Sequence, residues 1–326
     1  MTPRERLICA LRGGIPEIVP HLELEFQLCE EVFGQEPLRA HHLNGVSEAR
    51  RKDMLKRNAE LWVKVATKFD YSVITGLHWL PIEEQMESFE YVREIAGDTF
   101  MLSAFVDGTF AIPSGNDMVE QAVRFVERES EMLEEAERRV EEAISVGLQL
   151  IRAGAEIVFM CADYCFNSGP FLSPRMFRKF VTPFLKRQID AFKKAGAFTV
   201  KHTDGNIMPI LDQLIECQPD AIHSLDPQAG VDIKVVREIV GTRICLMGNV
   251  KCSAVHAGTK EEIKQSALYC LLHGGVATGA YVYCTSNCIF KGIPVENYLY
   301  MLELRERYGR PDAVSELEKE LNEHGL

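Results

Sequence analysis

Eight short apolar runs, each followed by a longer stretch of helical periodicity, recur along this chain of 326 residues. A strand followed by a helix before the next strand pairs most simply in parallel, because parallel neighbours need a crossover connection. The strand candidates are residues 18–26, 71–76, 100–106, 157–161, 197–200, 221–225, 243–247 and 279–283. Between them lie helical patterns such as 47–69, 82–95, 118–128 and 130–153, and a helix beginning near Pro294 closes the series. No linker, low-complexity segment or shift of composition interrupts the alternation. The expected fold is therefore α/β, a (β/α)8 TIM barrel forming a single domain over residues 1–326.

Local chemistry supports individual elements. Leu55, Ala59, Leu61, Trp62, Val65 and Ala66 make one stripe of the first long helix. In the helix 130–153 the same role falls to Leu133, Ala136, Val140, Ile144, Gly147 and Ile151, with Gly154 at the expected C-terminal cap. Ser173-Pro174 is an N-cap followed by an N1 proline, with a bend expected at Pro183, and Thr259 with Glu262 forms a capping box. The first strand alternates after Pro20. His21, Glu23 and Glu25 take one face and Leu22, Leu24 and Phe26 the other; the polar face is expected to point into the barrel.

Composition excludes several classes of function. The chain is 46% hydrophobic and 26% charged, with a net charge of -12 and no Lys/Arg block, which argues against nucleic acid and anionic membranes as partners. Ten cysteines show no disulfide rhythm, no leader pattern is visible, and no apolar run reaches the length of a membrane span. A reduced, cytoplasmic protein is expected. Gly-rich phosphate loops, Cys-x-x-Cys pairs and Gly-x-Ser-x-Gly elbows are missing, which disfavours nucleotide binding, redox dithiols and serine hydrolysis.

What remains is a set of reactive side chains at strand ends, which a parallel barrel gathers at one mouth: Glu25, His78, Asp163, His202 with Asp204, Asp226, Asn249, and Asn287 with Cys288. The segment Lys201-His202-Thr203-Asp204-Gly205-Asn206 is the richest of them. Its residues also suit a tight turn with Asn206 capping a helix, so the segment alone leaves site and turn open. A Gly/Pro-punctuated loop, 107–116, is long enough to fold over a pocket.

The ordered set Asp163-Tyr164, Gly169-Pro170-Phe171-Leu172-Ser173-Pro174, His202-Thr203-Asp204-Gly205-Asn206, Ser224-Leu225-Asp226, Met247-Gly248-Asn249, Gly258-Thr259 and Pro294-Val295-Glu296-Asn297 resembles the uroporphyrinogen decarboxylase superfamily along nearly the whole chain. The resemblance implies a (β/α)8 barrel with its site at the carboxyl-end mouth. It also implies one of two activities: decarboxylation of uroporphyrinogen, or corrinoid-dependent methyl transfer between a small molecule and a cobalamin carried on another protein. True decarboxylases hold their polyanionic substrate with an Arg-containing segment after the first strand. Here that stretch is Leu22-Glu23-Leu24-Glu25-Phe26-Gln27, whose carboxylates would repel such a substrate by several kcal/mol.

The methyltransferase branch is the expectation. By resemblance, His202 and Asp204 occupy the place of a His-x-Cys zinc pair, with the later ligand position at Asn287 or Cys288. Oxygen in place of sulfur makes a harder Lewis acid, suited to polarising an ether or phenolic oxygen. The expected reaction is O-demethylation of an aryl methyl ether, in anaerobic metabolism, with His202, Asp204 and Asp163 catalytic. Glu25, His78, Asp226, Asn249 and Asn287 would bind substrate. His202, Asp204 and Cys288 would ligate zinc, with Glu25 as the oxygen alternative for the third ligand. If no metal binds, His202 and Asp204 would form a hydrogen-bonded pair that polarises substrate directly. The enzymatic rival is a metal-free decarboxylase or lyase acting on a small acid, and a barrel that binds without turnover is the other. No Asp-x-His-x-x-Gly cobalamin signature occurs, so the corrinoid is expected on a separate protein that docks transiently at a wide mouth with mobile loops; a homodimer is the candidate assembly.

Overall fold

In the computed structural model, which describes residues 1–323, seven parallel strands follow one another around a ring. With a short hairpin included, the strands in chain order are β1 (Val73–Ile74), β2 (Met101–Phe105), β3 (Ile157–Met160), β4 (Cys165–Phe166), β5 (Gly169–Pro170), β6 (Phe198–His202), β7 (Ala221–His223), β8 (Cys245–Met247) and β9 (Tyr281–Val282). The ring order is β1-β2-β3-β6-β7-β8-β9, while β4 and β5 pair only with each other, antiparallel. The eighth stave reduces to isolated bridges: His21 pairs in parallel with Tyr71 on one side and Tyr283 on the other, and so closes the barrel, and Phe26 pairs with Ile289. Pro20 has no N–H to give a ladder, which limits pairing there. The Glu23 carboxylate takes over part of the work, accepting from the Thr285 N–H (3.2 Å) and hydroxyl (2.5 Å).

Two apolar layers result. Inside the ring, Leu22, Leu24, Val73, Met101, Ile157, Phe159, Val200, Ala221, Met247 and Val282 form one cluster, and Leu7, Ala10 and Leu11 of the helix Pro3–Leu11 close its floor. Outside it, the other face of the sheet packs against the helices. The helix Glu48–Lys68 buries the six residues its stripe predicted. In the helix Glu129–Ala153 the buried seam runs through Met132, Ala136, Val140, Ala143, Gly147 and Leu150; Leu133, Ile144 and Ile151 lie at its edge. The capping box at Thr259 and the Ser173 cap are both formed. At Pro183 the predicted bend is a break, between the helices Pro174–Phe180 and Thr182–Lys194. Ten free cysteines are distributed through the chain, and no described helix is long and apolar enough to cross a membrane.

The first strand is turned over relative to expectation. Leu22 and Leu24 fill the interior, while His21 and Glu23 point into the outer layer and only Glu25 reaches the mouth. Barrel interiors are packed with apolar side chains, and the outer layer offers these two polar groups partners the interior lacks. His21 Nδ1 donates to the Tyr283 carbonyl (2.7 Å), so its Nε2 accepts from Tyr298 (3.0 Å), whose hydroxyl accepts in turn from Tyr71 (2.9 Å).

Burial raises the Glu23 carboxyl to about 8, against the lowering effect of the Thr285 hydrogen bonds. A carboxyl whose pKa rises on folding contributes stability that is full below its unfolded value of 4.5 and is lost as pH climbs to the folded value. Between about pH 6.5 and pH 9 the native protein should therefore lose about 2 kcal/mol through this residue. Denaturant unfolding of wild type and Glu23→Gln at both pH values measures it; the variant should lose much less. Parallel losses in both proteins would rule the assignment out.

Candidate functional site

Strand register builds the site. His202 and His223 are cross-strand partners at the ends of β6 and β7, and each lies two residues beyond an interior residue, Val200 or Ala221. Both imidazoles thus top the inward face. The chain turns after His202, and Gly205 has φ +80° where a Cβ would stand 2.3 Å from the Cys165 carbonyl oxygen; only glycine fits. That turn brings Asp204 back beside His202. Asp163, at the end of β3, is tied to the same turn because its Oδ1 accepts from the Asp204 N–H (3.0 Å).

Among the described residues, Asp163, His202 and Asp204 are the group whose ligand atoms converge, all lying within 4.8 Å of one another. His202 Nε2 stands 3.7 Å from Asp163 Oδ1 and 3.8 Å from Asp204 Oδ1, beyond hydrogen-bond reach of either. Burial, with the Lys201 cation in support, lowers the His202 pKa to about 3, so the ring is a neutral donor. Burial also raises Asp204 to about 6, with Asp163 and Asp226 adding to the rise and a hydrogen bond from Ser224 opposing it. Ser224 Oγ donates to Asp204 Oδ1 (2.7 Å) and Asn287 Nδ2 donates to Oδ2. Ser224 and Leu225 both hold positive φ, 85° and 50°, a strained conformation that carries the hydroxyl to the carboxylate.

A second cluster faces the same mouth. Glu25 Oε1 meets His78 Nε2 at 3.2 Å and its Oε2 accepts from Gln27, which together hold the carboxyl below its usual range despite burial. His78 stacks on Phe105 with centroids 4.1 Å apart, and Phe105 stacks on Phe159 at 5.1 Å, so one wall of the mouth is aromatic.

Other candidates are placed differently. Cys288 is not among the converging donors. Its loop is pinned where Ile289 bridges Phe26, Asn287 is the residue that reaches Asp204, and burial raises the thiol to about 12. Glu25 is engaged with His78 and Gln27 and is not in the set either. Asn249 is buried with its amide consumed: Nδ2 donates to the Leu225 carbonyl (2.6 Å) exposed by the strained turn, and Oδ1 accepts from Cys270 (3.1 Å). Asp226 caps the turn Pro227–Ala229, its Oδ1 accepting from the Gln228 N–H (2.9 Å), and its charge adds to the rise of Asp204. The loop 107–116 is stapled rather than free over its first half. Asp107 pairs with Lys201 (2.8 Å), Thr109 bonds Tyr164 (2.6 Å), and the Ile112 N–H donates to the Asp163 carbonyl (2.7 Å).

A cavity of about 690 Å³ lies beside the mouth, between Pro227–Ala229 and the helices Cys252–Ala257 and Lys260–Gly274. None of the three converging donors lines it. The mouth, where burial shifts several ionisable groups together, is the candidate site.

A family model for uroporphyrinogen decarboxylase matches residues 76–308, a span that holds every strand of the ring from β2 onward and all three converging donors. The chain belongs to the uroporphyrinogen decarboxylase family. A curated relative, uroporphyrinogen decarboxylase of Chlorobium luteolum, is 27% identical over 156 residues, covering 47% of this chain and 42% of that one. Among solved structures, a methyltransferase from Methanosarcina mazei superposes with TM-score 0.73 at 19% identity, over 94% of this chain and 98% of its own. Within the family fold, then, the residues that sequence reasoning missed are His223, Ser224, Phe105 and the Asp107–Lys201 pair. His223 had one visible signal: like His202 it ends an apolar run two residues after an interior position.

Proposed function

We propose that this protein is a methyltransferase that takes the methyl group of an aryl methyl ether and delivers it to the reduced corrinoid of a separate protein. The observation that carries the reading is the convergence of His202 with two carboxylates beside an aromatic wall. Asp163, Asp204 and Glu25 all face the mouth, whereas Lys201 is fully buried with its Nζ engaged by Asp107 and the carbonyls of Met160 and Ala162. Such a mouth repels a polycarboxylate and accepts a neutral ring.

One imidazole nitrogen and two carboxylates are a donor set for a divalent cation, zinc included, and they leave coordination open on the solvent side, where the Asp163 and Asp204 side chains are 45% and 30% exposed. The cation would supply Lewis acidity toward the ether oxygen, whose departure as phenolate is the difficult part of the reaction. The chain's own residues do the rest. His78, backed by its stack on Phe105, walls the ring, Glu25 accepts from a phenolic hydroxyl, and Ser224 and Asn287 hold Asp204 in place. The raised Asp204 also favours a second reading, in which its protonated carboxyl donates to the departing oxygen.

The test is spectroscopic. Enzyme, reduced corrinoid and an aryl methyl ether should together consume cob(I)alamin, and the purified chain alone should not retain a corrinoid through gel filtration. A panel of methylated donors that methylates no corrinoid would reject the activity.

A further inference from the structure

His223 has no role in the chemistry above, yet its placement is specific. Its ring is fully buried, its Nδ1 lies 2.7 Å from His202 Nδ1, and its Nε2 has no hydrogen-bond partner among the described residues. Two imidazole nitrogens at that distance share one proton: two N–H groups would clash, and two lone pairs would repel. The rings must therefore be opposite tautomers. Either His202 carries its proton on Nδ1 and turns a bare Nε2 toward Asp163 and Asp204, or it carries the proton on Nε2 and accepts from His223 at Nδ1.

A cation among the three donors removes the choice, because only a bare Nε2 can ligate. We infer that His223 is a positioning residue that fixes the tautomer and ring orientation of His202 for cation binding by accepting the His202 Nδ1 proton. This rests on the reading of Asp163, His202 and Asp204 as a divalent-cation site. Metal-bound imidazoles commonly donate their second N–H to a carboxylate or carbonyl; here a neutral imidazole on the adjacent strand, held in register by the β6–β7 ladder, does so. In that arrangement the proton of His223 itself sits on Nε2, because a ring that accepts at Nδ1 must carry its proton on the other nitrogen, and the unpaired N–H there is a cost the arrangement bears. A purely structural role would be better served by an apolar side chain in such a dry position.

The experiment is Zn²⁺ affinity, read by competition with a chelator, in wild type, His223→Phe and His223→Asn, with circular dichroism confirming the fold of each. Asn can present its amide oxygen near the place of Nδ1 and accept the same proton; Phe cannot. Affinity should fall about 10- to 100-fold in His223→Phe and recover to within a few-fold of wild type in His223→Asn. Nitrogen NMR of labelled histidines in the wild type should show His202 protonated at Nδ1 once Zn²⁺ is bound. Unchanged affinity in His223→Phe, no rescue by Asn, or no Zn²⁺ binding by wild type would each overturn the inference. Neither methyl donor nor corrinoid is present, so a failed methyl-transfer assay rejects the reaction without bearing on this result.

Discussion

In a His202→Ala variant, corrinoid methylation should fall by at least about 10³-fold, and bound divalent metal should fall with it. The imidazole is the one nitrogen donor of the converging set, and its Nε2 faces both carboxylates. Removing it leaves Asp163 and Asp204 facing each other without a neutral ligand between them, and groups that stabilise developing charge typically contribute factors of 10² to 10³ each. Loss of a ligand adds to that loss. The variant is also expected to be less stable by about 1–3 kcal/mol. His202 is nearly fully buried, and its loss strands His223 Nδ1 without a partner in a dry interior. Its burial places it in the packed top layer of the barrel rather than at an exposed rim. Metal analysis and turnover of the purified variant are the measurement; undiminished metal, or activity within tenfold of wild type, would reject the site.

Gly205→Ala should unfold at least about 5 °C below wild type and lose activity with it. A Cβ at this position would lie 2.3 Å from the Cys165 carbonyl oxygen, 2.6 Å from its carbon and 2.7 Å from the Phe166 carbonyl oxygen, all backbone atoms that cannot swing aside. The positive φ adds strain of about 1 kcal/mol or more for any residue with a side chain. The obstructed backbone is β4, next to Asp163, while the turn that would have to move carries Asp204. Stability and site geometry therefore fail together, unlike in His202→Ala, where chemistry fails far more than folding. A Gly205→Ala protein with wild-type thermal stability and turnover would show that this turn does not set the site.

How far the sequence reached can be seen residue by residue. The order of strands and helices was legible because it depends on local periodicity and capping: the stripe on Glu48–Lys68, the Thr259–Glu262 box and the Ser173-Pro174 start all act within a few residues of chain. Reactive groups at strand ends were legible for the same reason, since parallel topology sends every carboxyl end to one mouth. The turn through Gly205 belongs here too, because its need for positive φ is written in one residue.

Facing and partnership were decided only by the tertiary structure. The alternation from His21 to Phe26 marks two faces but not which one is inner; the outer layer settled it by offering Tyr298 and Tyr283 to His21 and Thr285 to Glu23, while the interior required Leu22 and Leu24. Asn249 and Asp226 stand at strand ends as expected, yet a carbonyl freed by the Ser224-Leu225 turn takes the Asn249 amide and a capping N–H takes one Asp226 oxygen. Cys288 sits one residue past the side chain that reaches Asp204, and a single residue's offset in a pinned loop separates a residue that contacts the converging set from one that does not. The pairing of His202 with His223 depends on the register of two strands 21 residues apart in sequence, and no local pattern encodes register between strands joined through a helix. Local preferences act over a few residues of chain and can be read from it, whereas side-chain partners come from segments far apart and exist only once the ring has closed.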